Sequence, residues 1–182
     1  HTRSLCDLEF RRVLFRSGIE QGIPILLDKH LKRLERAADF LKLGSLSERG
    51  ITARKIEKYL EEQKMRTEVQ KEFGNLEHCA LKIMLTKENM VYSLRANYYT
   101  PEKYEKGFFI DISAVKRNET SPLVYHKTMN YGDCLLEKRN ATAAGMDERL
   151  FLNTKEQVSE GTVSTVFFVR NGVICTPQVS CG

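Results

Sequence analysis

No run of apolar residues in this 182-residue chain approaches the ~20 needed to span a bilayer. The opening stretch, HTRSLCDLEFRRVLFRS, also lacks the unbroken apolar region of a secretion signal. A cytoplasmic protein without a membrane partner is the expectation. Cysteine is sparse: Cys6, Cys79, Cys134, Cys175 and Cys181 make an odd number with no CxxC spacing. That pattern argues against a disulfide framework and against a structural zinc site. Four histidines, His1, His30, His78 and His126, share no ligand spacing, so no metal is expected. Neither GxGxxG nor GxxxxGK occurs, and there is no internal repeat or low-complexity segment.

What is present is ordinary globular material, 41% hydrophobic and 29% charged, with enough residues to bury a real core. The formal charge of +5 raises the question of a nucleic-acid partner. Residues 1–17 carry Arg3, Arg11, Arg12 and Arg16 against Asp7 and Glu9, so much of the excess sits at one end. The stretch EFRRVLFRS resembles a translated sequencing adapter, and residues 1–17 are read as non-native. A basic binding module would need a coherent cationic face interleaved with stacking aromatics. Here Phe and Tyr fall mostly at strand positions that core packing explains, so nucleic acid is not an expected partner.

The pattern along the chain predicts an α+β protein of two domains. Residues 18–101 read as one α+β domain and residues 102–182 as a second. A strand end at 23–27 leads into a helix with Asp28 as N-cap, an apolar stripe of Leu31, Leu34, Ala38 and Leu41, and Gly44 as its stop. A second helix is expected from Thr52 to about Phe73, with Ile56, Tyr59 and Leu60 inward. CALKIMLT and MVYSLRANYY then read as paired strands around residues 87–89, and TPEKYEKG as the linker. FFIDIS resumes as a strand, a helix follows Lys127 as far as Ala144, and RLFLN reads as a strand. TVFFV and VICT form a hairpin about Arg170-Asn171-Gly172.

Three residues could carry chemistry. Lys127, in LVYHKTMNYGDC, sits between an extended segment and a helix. There it is either an amine made nucleophilic by partial desolvation or one of fifteen ordinary lysines. Position alone favours the second. Glu160, in VSEGTVS, is either a carboxylate aimed at a ligand or a turn residue; the helix between it and Lys127 is long enough for a crossover onto neighbouring strands. Arg33, one helical turn from His30, either grips a phosphate through its planar fork or pairs with a nearby acid such as Glu35 or Asp39.

Six ordered blocks change that balance: HLKRL (30–34), RNETSP (117–122), HKTMNY (126–131), AAGMDERLFLN (143–153), VSEGTVS (158–164) and NGVICTP (171–177). Together they resemble the class IV aminotransferases, pyridoxal phosphate enzymes of fold type IV that include branched-chain and D-amino acid aminotransferases and aminodeoxychorismate lyases. The resemblance runs from about Gly22 to the last residue. It implies a small α/β domain over residues 18–101, its first strand missing or overwritten here, followed over 102–182 by a larger, β-rich pseudo-barrel domain, truncated here because the family continues beyond CTPQVSCG. It also implies pyridoxal 5'-phosphate as cofactor, a small-molecule amino substrate and a homodimer.

The resemblance also assigns roles. Lys127 holds the cofactor covalently and moves the proton at the substrate α-carbon. Glu160 contacts the pyridine nitrogen, Arg33 the phosphate, and Tyr131 the phenolic oxygen, although its offset from the lysine differs by one. RNETSP, HKTMNYGD and TPQVSCG are most like bacterial aminodeoxychorismate lyases, which form 4-aminobenzoate and pyruvate on the way to folate. A branched-chain or D-amino acid aminotransferase is the alternative. Thr165 stands where the family carries asparagine, and the truncated chain is expected to bind cofactor poorly.

Overall fold

The computed structural model describes residues 12–182. Residues 1–11, with Cys6 and most of the segment read as non-native, lie outside the described residues. The chain divides into two compact units. One takes the chain up to Tyr99 together with His126–Asn130, and the other takes Thr100–Tyr125 and Tyr131–Gly182. Lys127 therefore belongs to the first unit, although it lies inside the sequence range expected for the larger domain.

The first unit is built on a four-stranded sheet of order β2-β1-β3-β4, with β1 Val13–Glu20, β2 Ile23–Pro24, β3 His78–Leu85 and β4 Met90–Ala96. All neighbours are antiparallel. A strand, β1, thus stands ahead of α1, where one was expected to be missing or overwritten, and its first five residues come from the segment read as non-native. Val13, Phe15 and Ile19 face the core opposite Leu85, Ile83 and Cys79, and Leu81 completes the row; none of these is more than 2% exposed. Period-2 alternation puts one row of each strand on the core face, so a one-residue slip would expose all of it.

Helices α1 (Leu27–Phe40), α2 (Ala53–Lys64) and α3 (Thr67–Phe73) cover that face. Leu34, Ala37 and Ala38 of α1 and Ile56 and Leu60 of α2 are buried on it. Asp28 is not the cap of α1. Leu26 holds that place in a left-handed conformation without a side-chain bond, and Asp28 falls in the first turn, where its charge suits the helix dipole. Thr52 does cap α2, its hydroxyl accepting the Lys55 N–H at 3.3 Å.

The single helix expected from 52 to 73 is two. Arg66 takes an extended conformation between them, α3 rests on the core through the partly buried Val69 and Phe73, and the Gln70 amide donates to the Lys64 carbonyl (2.8 Å) across the break. Buried in the same core, the Cys79 thiol is pushed up to about 11 by burial and by the Glu20 charge. Thiolate is the reactive form. Iodoacetamide at pH 8 is therefore expected to alkylate exposed Cys175 and leave Cys79 unmodified, read by peptide mass spectrometry.

The second unit begins with the expected linker, which folds as a wholly exposed helix, α4 (Pro101–Lys106), with proline at its first turn. A three-stranded sheet of order β5-β6-β7 follows, from Ile110–Ile112, Glu148–Leu152 and Val158–Gly161. β5 and β6 are parallel, which demands a crossover, and α5 (Gly132–Ala143) supplies it. The inward face of α5 carries a carboxylate. Buried Glu137 accepts from Ser113 Oγ (2.6 Å), Asn140 Nδ2 (2.7 Å) and Arg149 Nη1 (3.2 Å), while Leu135 and Leu136 are exposed. Strands β8 (Phe168–Arg170) and β9 (Val173–Cys175) form the expected hairpin. Asn171 and Gly172 both have positive φ, 50° and 77°, as a two-residue type I′ turn requires.

Candidate functional site

Lys127 stands at the apex of a three-residue turn, since the Thr128 N–H donates to the His126 carbonyl at 2.8 Å. The segment around it docks on the free end of β1. The Leu14 N–H donates to the Lys127 carbonyl (3.1 Å), the Met129 N–H donates to the Arg12 carbonyl (2.9 Å), and Thr128 bridges Val13. Thr128 is buried, whereas Lys127 is exposed. The backbone is fixed and the side chain projects from it.

Helix α1 brings His30 and Arg33 into the same neighbourhood. The His30 ring meets Phe15 edge-on, with centroids 5.3 Å apart. Its pKa is lowered from the usual histidine value by burial first, then by the charge of Arg33 and then by that of Lys127. Both cations therefore act on one imidazole, which favours its neutral form. Arg33 is exposed and pairs with no carboxylate among the described residues. Glu35, the alternative partner considered above, instead accepts the Leu46 N–H at 3.2 Å.

Glu160 and Tyr131 lie in the second unit. Glu160 is on β7 rather than ahead of a strand, and Arg117 Nη2 donates to its Oε1 at 2.5 Å. The guanidinium carbon of Arg117 also lies 5.5 Å from the centre of the fully buried Phe151 ring, which fixes the plane from which it bonds. Tyr131 immediately precedes α5, with an extended φ of −129° and no side-chain cap bond.

The turn that follows Glu160 is organised by a residue that pattern alone did not single out. Glu148 is 3% exposed. Its carboxylate accepts from the backbone N–H of Arg149 (2.9 Å), Thr162 (3.1 Å) and Val163 (3.3 Å), and from the hydroxyls of Ser164 (2.8 Å) and Thr162. Burial pushes its pKa up, but the hydrogen bonds from Thr162, Ser164, Arg149 and Val163 outweigh it and hold the group below the usual glutamate value. Gly161 permits this packing, because a Cβ there would meet Ser164 Oγ at 2.2 Å and the Glu148 carboxylate at 3.2 Å. Thr165 is exposed, so the turn takes its order from Glu148.

His126, Arg117 and Glu148 were the residues missed. All three sit inside the ordered blocks, His126 in HKTMNY, Arg117 in RNETSP and Glu148 in AAGMDERLFLN, but the blocks did not assign them a role. Among the described residues no group of three His, Cys, Asp or Glu could hold a metal ion, and no helix is long and apolar enough to cross a membrane.

Lys127 and Arg33 thus stand in the first unit, and Glu160 and Tyr131 in the second. The sequence model of the amino-transferase class IV family matches residues 14–182, and the chain belongs to that family. It is 30% identical over 161 residues to a Synechocystis protein named "probable branched-chain-amino-acid aminotransferase", covering 83% of this chain and 50% of that one. The chain spans half or less of the length of the curated relatives it matches. Among solved structures it superposes on a fold IV transaminase from Curtobacterium pusillum with a TM-score of 0.76 at 21% identity, covering 93% of this chain and 60% of that one. It superposes likewise on a Legionella pneumophila protein named "putative 4-amino-4-deoxychorismate lyase", with a TM-score of 0.74 at 22% identity and coverages of 95% and 64%. At these identities the likeness shows the fold.

The family's cofactor is pyridoxal phosphate. Taken unit by unit, the residues suit it: in the first, Arg33, with no carboxylate partner among the described residues, suits a phosphate and the exposed Lys127 amine an aldehyde; in the second, Oε2 of Glu160 carries no hydrogen bond among the described residues and suits a protonated ring nitrogen.

Proposed function

We propose that the full-length protein is a pyridoxal-phosphate-dependent enzyme that removes the α-proton of a small amine substrate. The observation that carries this reading is the family match over residues 14–182, which includes the Lys127 turn docked on β1; Arg33 on α1 pairs with no carboxylate among the described residues. Two cations on a fixed platform suit a phosphate-bearing aldehyde better than they suit a solvated surface. When bound, the cofactor supplies a ring that accepts the electron pair left on the α-carbon. Lys127 takes that proton and returns it, Arg33 holds the phosphate, and Glu160, oriented by Arg117, keeps a proton on the ring nitrogen. Tyr131 is proposed to hydrogen-bond the phenolic oxygen.

For the reaction itself we propose 4-amino-4-deoxychorismate lyase, releasing 4-aminobenzoate and pyruvate, supported by the blocks RNETSP, HKTMNYGD and TPQVSCG. Amino transfer between branched-chain amino acids and 2-oxoglutarate is the second reading, favoured by the names of the curated relatives. The same three residues serve both reactions, so a product assay decides. The full-length enzyme is expected to release equal amounts of pyruvate and 4-aminobenzoate. Glutamate formation from leucine at a higher kcat/KM would establish the transaminase instead. A homodimer is proposed for the full-length protein, testable by sedimentation.

A further inference from the structure

The residues flanking Lys127 are held in different ways. On its C-terminal side the backbone is tied to β1 by the Thr128 bridge and by the bonds to Leu14 and Arg12. On its N-terminal side the chain enters the first unit only at His126, because Pro122–Tyr125 belong to the second. There the His126 imidazole lies flat on the Phe40 ring, with centroids 4.0 Å apart and planes 10° from parallel. Phe40 is the last residue of α1, two turns beyond Arg33 and nearly three beyond His30.

We propose that His126 is a positioning residue for Lys127, acting as a flat plate seated on Phe40 rather than as a proton carrier. This deepens the assignment of Lys127 and rests on it. The carbonyl of His126 accepts the bond that closes the turn, so the ring that fixes His126 also fixes the apex from which the amine projects. One helix then sets two distances: its middle carries the candidate phosphate arginine and its end carries the plate that indexes the lysine. A lysine amine stands about 6 Å from its Cα, so a small rotation at the apex moves the reacting atom by the order of 1 Å that matters for catalysis.

The test uses the full-length protein with His126→Ala, Phe40→Ala and His126→Phe. The first readout is amide hydrogen exchange at Thr128, with Ile83 in the sheet as control. The second is the rate at which pyridoxal phosphate becomes fixed to Lys127 by borohydride, followed against pH by peptide mass spectrometry. Losing the stack should speed exchange at Thr128 about fivefold in both alanine variants and leave Ile83 unchanged. Fixation at Lys127 should slow with its pH midpoint unmoved, and His126→Phe should restore both readouts. If His126→Phe behaves like His126→Ala, or the pH midpoint moves with loss of the imidazole, the plate is wrong and the ring nitrogens matter. Unchanged exchange in both alanine variants overturns the proposal outright. If the full-length parent fixes no cofactor at Lys127, the assignment of that lysine fails, and exchange at Thr128 still decides the role of His126.

Discussion

Replacing Lys127 with alanine in the full-length protein is expected to abolish borohydride-stable labelling by pyridoxal phosphate. It should also lower turnover by on the order of 10²- to 10⁴-fold, the range that a positioned acid/base contributes. The variant should still fold, because the Lys127 side chain is exposed and its backbone contacts need no particular residue. The sharpest measurement is exchange of the substrate α-hydrogen with deuterium, which reads the proton step before the lyase and transaminase reactions diverge. Retained exchange at the parent rate would move the acid/base role to another residue. Arg33→Ala should behave differently, raising the concentration of cofactor needed for half-saturation while leaving saturated turnover less affected, because a phosphate contact is made before and during the reaction alike.

The second large effect is expected at Glu148. Glutamine in its place keeps the shape but turns an NH2 toward donors. At least one buried N–H near Thr162 or Val163 then loses its acceptor, at roughly 1–3 kcal/mol for each orphaned group. The β6–β7 region should accordingly lose about 3 kcal/mol of local stability. Amide exchange at Phe151 and Gly161 is the appropriate measurement, because two units need not unfold together. The same residue predicts an acid limit. A carboxyl held below the usual glutamate value in the folded state contributes stability that is present above that value and lost as pH falls through the folded pKa. Protection at Phe151 should therefore decline below about pH 4.5 in the parent and change much less there in Glu148→Gln.

Much of the architecture was legible from periodicity. Alternation fixed β3 and β4, and Asn171-Gly172 fixed the last hairpin, because these signals depend on neighbours a few residues apart. Helix boundaries were less legible. No residue type between α2 and α3 announces the break, since Val69 and Phe73 continue to pack on the core beyond it; it lies in the extended backbone of Arg66, which nothing in the pattern marks. Asp28 looked like a cap because caps are read from residue type, whereas the chain enters α1 through a left-handed Leu26 set by the β1–β2 turn. At the candidate site, Lys127, Glu160 and Arg33 were recovered by their ordered company and not by any property of their own. Arg117, Glu148 and His126 were not recovered, because each acts through a partner far away in sequence: Glu160 at 43 residues, Thr162 at 14, and Phe40 at 86.

The first unit is also discontinuous in sequence, and this sets an order of events during synthesis. The sheet and its helices are complete once Tyr99 has been made, yet the segment that bears Lys127 comes only after the 26 intervening residues of Thr100–Tyr125. A nascent chain, which tends to fold from its N-terminus onward, would present the end of β1 with its Leu14 amide waiting for an acceptor. Bringing His126–Asn130 back across those residues costs about 3 kcal/mol in loop-closure entropy, to be met by a handful of backbone bonds and one ring stack. The lysine is thus installed late, as a returning clip on a scaffold already folded, and ribosome-stalled chains ending before residue 126 should display the sheet without it.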